Sequence, residues 1–159
     1  MTGWFSRALK IQIRTCRSYE SAALSKLHTQ GFERGWGVSE FETLLCESTV
    51  RVHLAEMQLS EPCGFIISRI AVDEAEILSV VVAKNARRKG VGGQLLNTHL
   101  SALAQSGAQT VFLEVDELNV SALALYKHFG FEKVGERKSY YKHKDGTSPA
   151  ALVMRRYLK

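Results

Sequence analysis

The sequence predicts a mixed α/β fold, built as one domain over residues 1–159. Strand-like and helix-like patterns alternate along the chain, as they do where helices cover a sheet. The strand-like runs are short and rich in β-branched residues, and the most apolar of them covers Ile77–Ala83. The chain shows no internal repeat, low-complexity segment or linker, and its length suits a single hydrophobic core. We therefore expect a mixed central sheet flanked by about four helices.

In the first third of the chain, the pattern predicts one strand and two helices. Apolar and polar residues alternate over Leu9–Arg14, as in an edge strand. Ser18 can cap a first helix that runs to about Gln30. Ser39 and Glu42 have the spacing of a capping box, which predicts a short second helix.

Three successive strands are expected next, in the order of a meander. They cover Val50–Leu54, where one face is apolar, then Cys63–Val72 and Ile77–Val82. Turn residues separate these strands at Ser60–Pro62 and at Asp73–Glu74.

The second half of the chain is predicted to contain a helix, a strand, a second helix and two final strands. The first helix follows a glycine-rich turn and has leucines at helical spacing, namely Leu95, Leu96, Leu100 and Leu103. A strand at Val111–Val115 leads to a helix that stops at Gly130. Two final strands, Phe131–Tyr140 and Ala151–Tyr157, would pair around a long, mobile loop at Lys142–Pro149.

Composition narrows the class of protein. No stretch approaches the ~18 uninterrupted apolar residues of a membrane span, and the N-terminus is too short in its apolar part for a signal peptide. The three cysteines are odd in number and form no metal or disulfide pattern, so we expect a cytoplasmic protein without a metal. The net charge of +5 is too modest to predict direct nucleic-acid binding. No histidine is given a role, and His99 and His128 are expected on helix surfaces.

The basic, glycine-rich turn Arg87–Gly93 joins a strand to a helix, and such a turn can present backbone N–H groups to an anion. A P-loop would need Gly-Lys-Ser/Thr where this chain has Gly92–Gln94. A dinucleotide-binding loop would need a third glycine where Leu95 stands, although Glu114 lies about where a ribose-binding acid falls. An ordinary solvated turn is a further alternative.

Arg87, Gly90 and Gly92 also match the R-x-x-G-x-G pattern, which resembles the coenzyme A pyrophosphate loop of the GNAT N-acetyltransferases. Further pieces of the chain resemble the core of that family, and most closely its RimI branch, which acetylates the N-terminal amine of a ribosomal protein. Those pieces are Leu113-Glu114-Val115, Asn119, Ala124-Leu125-Tyr126, Gly130-Phe131 and Tyr140-Tyr141. The resemblance is strong over Ser79–Tyr141 and weaker over residues 1–70.

The resemblance implies a GNAT fold and direct transfer of an acetyl group from acetyl-CoA to the N-terminal amine of a protein, possibly a ribosomal one, without a metal. It also implies a set of cofactor-binding residues around the glycine-rich turn. They are Val80, Val81, Val82, Arg87, Arg88, Lys89, Gly90, Val91, Gly92, Gly93 and Asn119. Asn119 has an alternative role as the cap of the helix that follows it.

Two residues would be catalytic by the same resemblance. Glu114 would be the general base for an α-ammonium, whose pKa of about 8 lies below the value of about 10.4 for a lysine. Tyr126 would protonate the leaving thiolate or donate a hydrogen bond to it. Without the resemblance, Glu114 would belong to a solvated strand face and Tyr126 would be a core tyrosine.

The acceptor side is less well defined. Trp36, Tyr140 and Tyr141 resemble substrate-binding residues of the family, although the tyrosines could be ordinary strand aromatics. Gly37 stands where the family often has serine, and Ala150 stands where it commonly has an acid. Two alternatives therefore stay open: a small-molecule amine as acceptor, and a coenzyme A-binding or ribosome-associated module without catalytic activity.

Overall fold

Seven strands and four helices make up the part of the chain that the computed structural model describes, which is residues 10–58, 61–138 and 142–158. The elements in chain order are β1 (Ile11–Thr15), α1 (Ser21–Gly31), α2 (Val38–Cys46), β2 (Val50–Met57), β3 (Pro62–Ala71), β4 (Glu74–Val82), a 3-10 turn (Lys84–Ala86), α3 (Val91–Gln105), β5 (Thr110–Asp116), α4 (Val120–His128), β6 (Glu132–Arg137) and β7 (Ala151–Tyr157). Within those ranges no helix has the length and apolar character needed to cross a membrane.

All seven strands form one sheet in the order β1-β2-β3-β4-β5-β7-β6. β4 and β5 run parallel, because α3 crosses over between them, and the other neighbouring strands are antiparallel. This arrangement confirms the mixed sheet with four helices that the sequence predicts.

The two faces of the sheet carry different helices. On the α1 face, which α1 and α2 cover, Phe41 packs edge-on against Phe65 of β3 at 5.7 Å between ring centroids. On the α3 face, which α3 and α4 cover, the side chains of β5 alternate as predicted. Val111, Leu113 and Val115 are buried there, and Phe112 and Glu114 point to the α1 face.

Both predicted serine caps are wrong, and each helix begins elsewhere. α1 begins at Ser21, three residues beyond Ser18, and Glu20 at its N-cap makes no side-chain cap. The Glu20 carboxylate instead pairs with Arg14 of β1, six residues earlier, at 2.6 Å, and it accepts a hydrogen bond from the Arg17 backbone N–H at 2.7 Å. α2 begins at Val38, before Ser39 can cap it, so the predicted box with Glu42 does not form. Asn119 does cap α4, accepting a hydrogen bond from Ala122 N–H at 3.2 Å.

The expectation that His99 lies on a helix surface is wrong as well. His99 is fully buried on the α3 face, where its Nδ1 lies 2.7 Å from Nδ1 of His53 and its Nε2 lies 2.6 Å from the Ser68 hydroxyl. Burial lowers the pKa of His99 to about 3. The same contacts explain why both faces of β2 are buried over residues 52–55. The apolar face packs in the core, and on the other face the polar residue His53 is paired with His99.

Candidate active site

β4 and β5 part halfway along the sheet. Their ladder runs only from the Glu74–Thr110 pair to the Ile77–Leu113 pair. Beyond it, β4 continues to Val82 and β5 to Asp116 without pairing with each other. The β3–β4 register shifts at the same level, so β4 bulges where the two strands begin to separate. The backbone of β4 over residues 78–82 therefore faces an opening that an extended chain could enter.

The N-terminus of α3 lies beside this opening. Gly90 precedes the helix with φ of 81°, a left-handed conformation that suits glycine. The first hydrogen bond of the helix runs from Gln94 N–H to Gly90 O at 3.1 Å. The N–H groups of residues 91–93 precede that bond and have no partner within the helix. Together with the helix dipole, they make this end of α3 suitable for an anion.

Gly92 has a second effect that the sequence does not reveal. A Cβ at Gly92 would lie 3.3 Å from the Leu125 side chain, which is tighter than an ordinary contact, whereas one at Gly93 would lie at an ordinary 3.8 Å from the Phe129 ring. Gly92 thus allows α4 to pack closely against the first turn of α3. Its position matters for helix packing as well as for the approach of a ligand.

Two basic side chains of the turn, those of Arg87 and Lys89, make contacts within the protein. The Arg87 guanidinium donates to the carbonyl oxygens of Val82, at 3.1 Å, and of Gln30, at 3.3 Å. The Lys89 ammonium donates to the carbonyl oxygen of Asn85 at 3.1 Å. Arg87 therefore ties the turn to the ends of β4 and α1, and it contributes to the site by holding the backbone of the turn in place.

Glu114 lies on the α1 face, and its side chain is 38% exposed. Its carboxylate pairs with the Arg137 guanidinium of β6 at 3.0 Å. Both residues line a groove of about 310 Å³ on that face, together with Arg69, Glu76, Phe112 and Val153. Arg137 is not identifiable from the sequence pattern, because its approach to Glu114 depends on the register of β5, β7 and β6.

Tyr126 lies in α4, on the other side of the sheet from the Glu114 carboxylate. It is 8% exposed and packs edge-on against Phe131, with 5.8 Å between the ring centroids. Burial raises the pKa of Tyr126 to about 12. Glu114 lines the groove on the α1 face, whereas Tyr126 does not, so the structure does not bring the two predicted catalytic side chains together in that groove.

Two loops meet on the α1 face near the end of β5. One joins α1 to α2 and carries Trp36, which is half-buried; the other is the loop 142–149. His143 joins them, because its Nε2 lies 2.8 Å from an Asp116 carboxylate oxygen and its Nδ1 lies 3.9 Å from one of Glu33. The predicted residues Tyr140 and Tyr141 lie outside the described residues. No cluster of three His, Cys, Asp or Glu side chains that could hold a metal occurs in the described ranges.

The Acetyltransferase (GNAT) family matches residues 21–131 of the chain. The chain belongs to the GNAT acetyltransferase family. A curated relative, the [ribosomal protein bS18]-alanine N-acetyltransferase of Escherichia coli K12, is 32% identical over 96 residues, which are 60% of this chain and 65% of that protein. The chain therefore spans just under two thirds of the length of that relative.

Solved structures of GNAT proteins share the fold. The crystal structure of the Escherichia coli ribosomal-protein-S18-alanine N-acetyltransferase matches 94% of this chain and 95% of its own, with a TM-score of 0.86 and 24% identity. Arabidopsis thaliana NAA60 in complex with acetyl-CoA matches 94% of this chain and 99% of its own, with a TM-score of 0.83 and 17% identity. These matches confirm the predicted GNAT fold.

Proposed function

We propose that this GNAT chain transfers the acetyl group of acetyl-CoA to the α-amine at the N-terminus of a protein. The observation that carries the proposal is the opening between β4 and β5, with the N–H groups of residues 91–93, which have no partner within α3, on one side and the Glu114 carboxylate on the other. The curated relative supports the acceptor class, since it acetylates an alanine of a ribosomal protein. A ribosomal acceptor and a cytoplasmic location are predictions of the same proposal.

Acetyl-CoA would enter the opening from the α3 face. Its diphosphate would accept hydrogen bonds from the N–H groups of residues 91–93, with Arg88 and Lys89 supplying positive charge. Its pantetheine arm would lie along Val80–Val82 like an added strand. Because Arg87 already uses the carbonyl oxygen of Val82, the arm would rely on the other backbone groups of that segment.

Glu114 would receive the acceptor from the α1 face. Its pair with Arg137 is exposed, and such pairs contribute only about 0–1 kcal/mol, so an incoming ammonium can displace the guanidinium at little cost. The carboxylate would then attract the ammonium and take up its proton, directly or through water. The free amine attacks the thioester carbonyl carbon, and the C–S bond breaks as the N–C bond forms.

Tyr126 would act on the sulfur by hydrogen bonding. A phenol of pKa about 12 is a weaker acid than an ordinary thiol, whose pKa is about 8.5. Transfer of its proton to the thiolate would be uphill by about 5 kcal/mol. We therefore assign Tyr126 the donation of a hydrogen bond to the developing thiolate. The thiolate takes up, through water, the second proton that the nitrogen loses as the amide forms.

Kinetics of two variants test these roles. Glu114→Gln should lower turnover at neutral pH by at least about tenfold, because the base is lost while the shape is kept. Tyr126→Phe should lower the maximal rate more than it raises the KM for acetyl-CoA. Full activity in the Glu114 variant would remove that residue from the mechanism, and an unchanged rate in the Tyr126 variant would reduce it to a packing residue.

The acceptor itself can be found in cells. Mass spectrometry of protein N-termini, with and without this protein, should show a set of termini that lose their acetyl group in its absence. If no terminus changes, while the purified protein acetylates small amines such as polyamines, the acceptor class proposed here is wrong.

A further inference from the structure

A buried histidine holds the loop between α1 and α2. His28 lies in the last turn of α1 and is 1% exposed. Its Nδ1 accepts a hydrogen bond from the Trp36 backbone N–H at 2.9 Å. Its ring also stacks on the ring of Phe32, at 4.3 Å and 13°, and on that of Trp36, at 4.5 Å and 17°. Phe32 and Trp36, at the two ends of this loop, are thus both packed on the imidazole of His28.

A second side chain of α1 holds the same loop residue. The Ser25 hydroxyl donates a hydrogen bond to the Trp36 carbonyl oxygen at 2.8 Å. Residues three apart in a helix share one side of it, so Ser25 and His28 both face the loop. Together they fix the N–H and the C=O of Trp36, and with them the path of the loop backbone at this residue.

This loop belongs to the acceptor side of the site. Glu33 in the loop approaches His143 at 3.9 Å, and His143 approaches Asp116 at 2.8 Å. Asp116 follows Glu114 by two residues in β5, so its side chain lies on the same face as the proposed base. Through His143 the loop is therefore linked to the end of β5, two residues beyond Glu114 on the same face.

The packing of His28 leaves one feature that core packing alone does not explain. With Nδ1 accepting from Trp36, the proton of the neutral ring lies on Nε2, and that atom is buried without a hydrogen-bond partner among the described residues. A buried donor without a partner costs stability. A phenylalanine would stack as well without that cost, so the benefit of histidine here is the bond to Trp36.

We propose that His28 is a positioning residue for the acceptor, which holds the loop 32–37 and Trp36 in place at the end of β5, near Glu114. The inference rests on the proposed function, because it assumes an acceptor bound on the α1 face. His28 does not touch the reacting atoms. Its ring must be unprotonated at Nδ1 to act in this way, and burial favours that neutral state by lowering the pKa of His28.

The test compares three variants with a short synthetic peptide that begins with alanine. His28→Phe keeps the ring stack and removes both the acceptor and the unpartnered Nε2–H, so the variant should fold. Ser25→Ala removes the second bond to Trp36. Thr43→Ala is the matched control, since that exposed hydroxyl donates to the Ser39 carbonyl oxygen of its own helix, away from Trp36.

We expect His28→Phe to raise the KM for the peptide about fivefold, the effect of one lost hydrogen bond. Ser25→Ala should also raise the KM for the peptide, and Thr43→Ala should leave this KM unchanged. The KM for acetyl-CoA and kcat should stay within about twofold in all three variants. An unchanged peptide KM in His28→Phe would overturn the inference, as would a parallel rise in the KM for acetyl-CoA.

The Trp36 amide gives a readout that does not depend on catalysis. In NMR spectra of the unaltered protein, this proton should be shifted downfield and protected from exchange, and both properties should be lost in His28→Phe. The same shift in both proteins would overturn the inference and leave the proposed function standing. Absence of acetyl transfer to any peptide by the unaltered protein would overturn both.

Discussion

The buried histidines make the stability of this protein sensitive to mild acid. Burial and the neighbouring His53 lower the pKa of His99 to about 3, whereas an unfolded chain has a histidine pKa of about 6.5. Below pH 6.5 the unfolded state therefore binds a proton that the folded state does not. The free energy of unfolding is at its full value above about pH 6.5 and falls as the pH drops toward 3.

The size of the effect follows from the two pKa values. Between pH 7 and pH 5.5, His99 alone should lower the free energy of unfolding by about 1.3 kcal/mol. Burial also lowers the pKa of His28 and of His53, which adds to the loss. The carboxylate of Glu20, with a pKa of about 2, loses its contribution only below this window. The exposed His143 has a raised pKa and acts in the opposite direction.

Urea unfolding at the two pH values measures this difference. Replacement of His99 by leucine removes its titration, so the loss between pH 7 and pH 5.5 should shrink by about 1 kcal/mol even if the variant is less stable at both. His128→Gln, at an exposed helix end, is the control and should keep the full loss. An equal pH dependence in the His99→Leu variant and the unaltered protein would refute the reasoning.

Two further predictions concern local backbone structure. Val72 is 97% exposed in the β3–β4 turn with φ of 58°, so Val72→Gly should raise the free energy of unfolding by about 1 kcal/mol, while Val72→Ala, which keeps a Cβ, should not. Asn119→Ala should lower it by about 1 kcal/mol through loss of the α4 cap, and Ser121→Ala should change it little. Urea unfolding at pH 7 checks both predictions. A lower free energy of unfolding in Val72→Gly, or a higher one in Asn119→Ala, would contradict these assignments.

The main elements could be predicted because their signals are local. The leucines of α3 recur at helical spacing, and the apolar run of β4 and the alternation of β5 identify buried strands. A strand, a helix and a strand in succession favour a parallel pair, which β4 and β5 form. These patterns were sufficient for the mixed sheet and for the position of the glycine-rich turn.

The missed features depend on contacts between distant residues. His99 is buried because Ser68 and His53, 31 and 46 residues away, provide its hydrogen-bond partners. Arg137 reaches Glu114 through the register of three strands. A single sequence shows which residues are polar, but it does not show which of them meet.

The most direct test of the proposed activity uses two versions of one alanine-initiated peptide, one with a free N-terminus and one with a blocked N-terminus. After incubation with acetyl-CoA and the purified protein, mass spectrometry should show one added acetyl group on the free peptide, located at its α-amine. The blocked peptide should stay unmodified even where it contains lysine. Acetylation of both peptides to the same extent, or of neither, would contradict the assignment of an N-terminal amine as the acceptor.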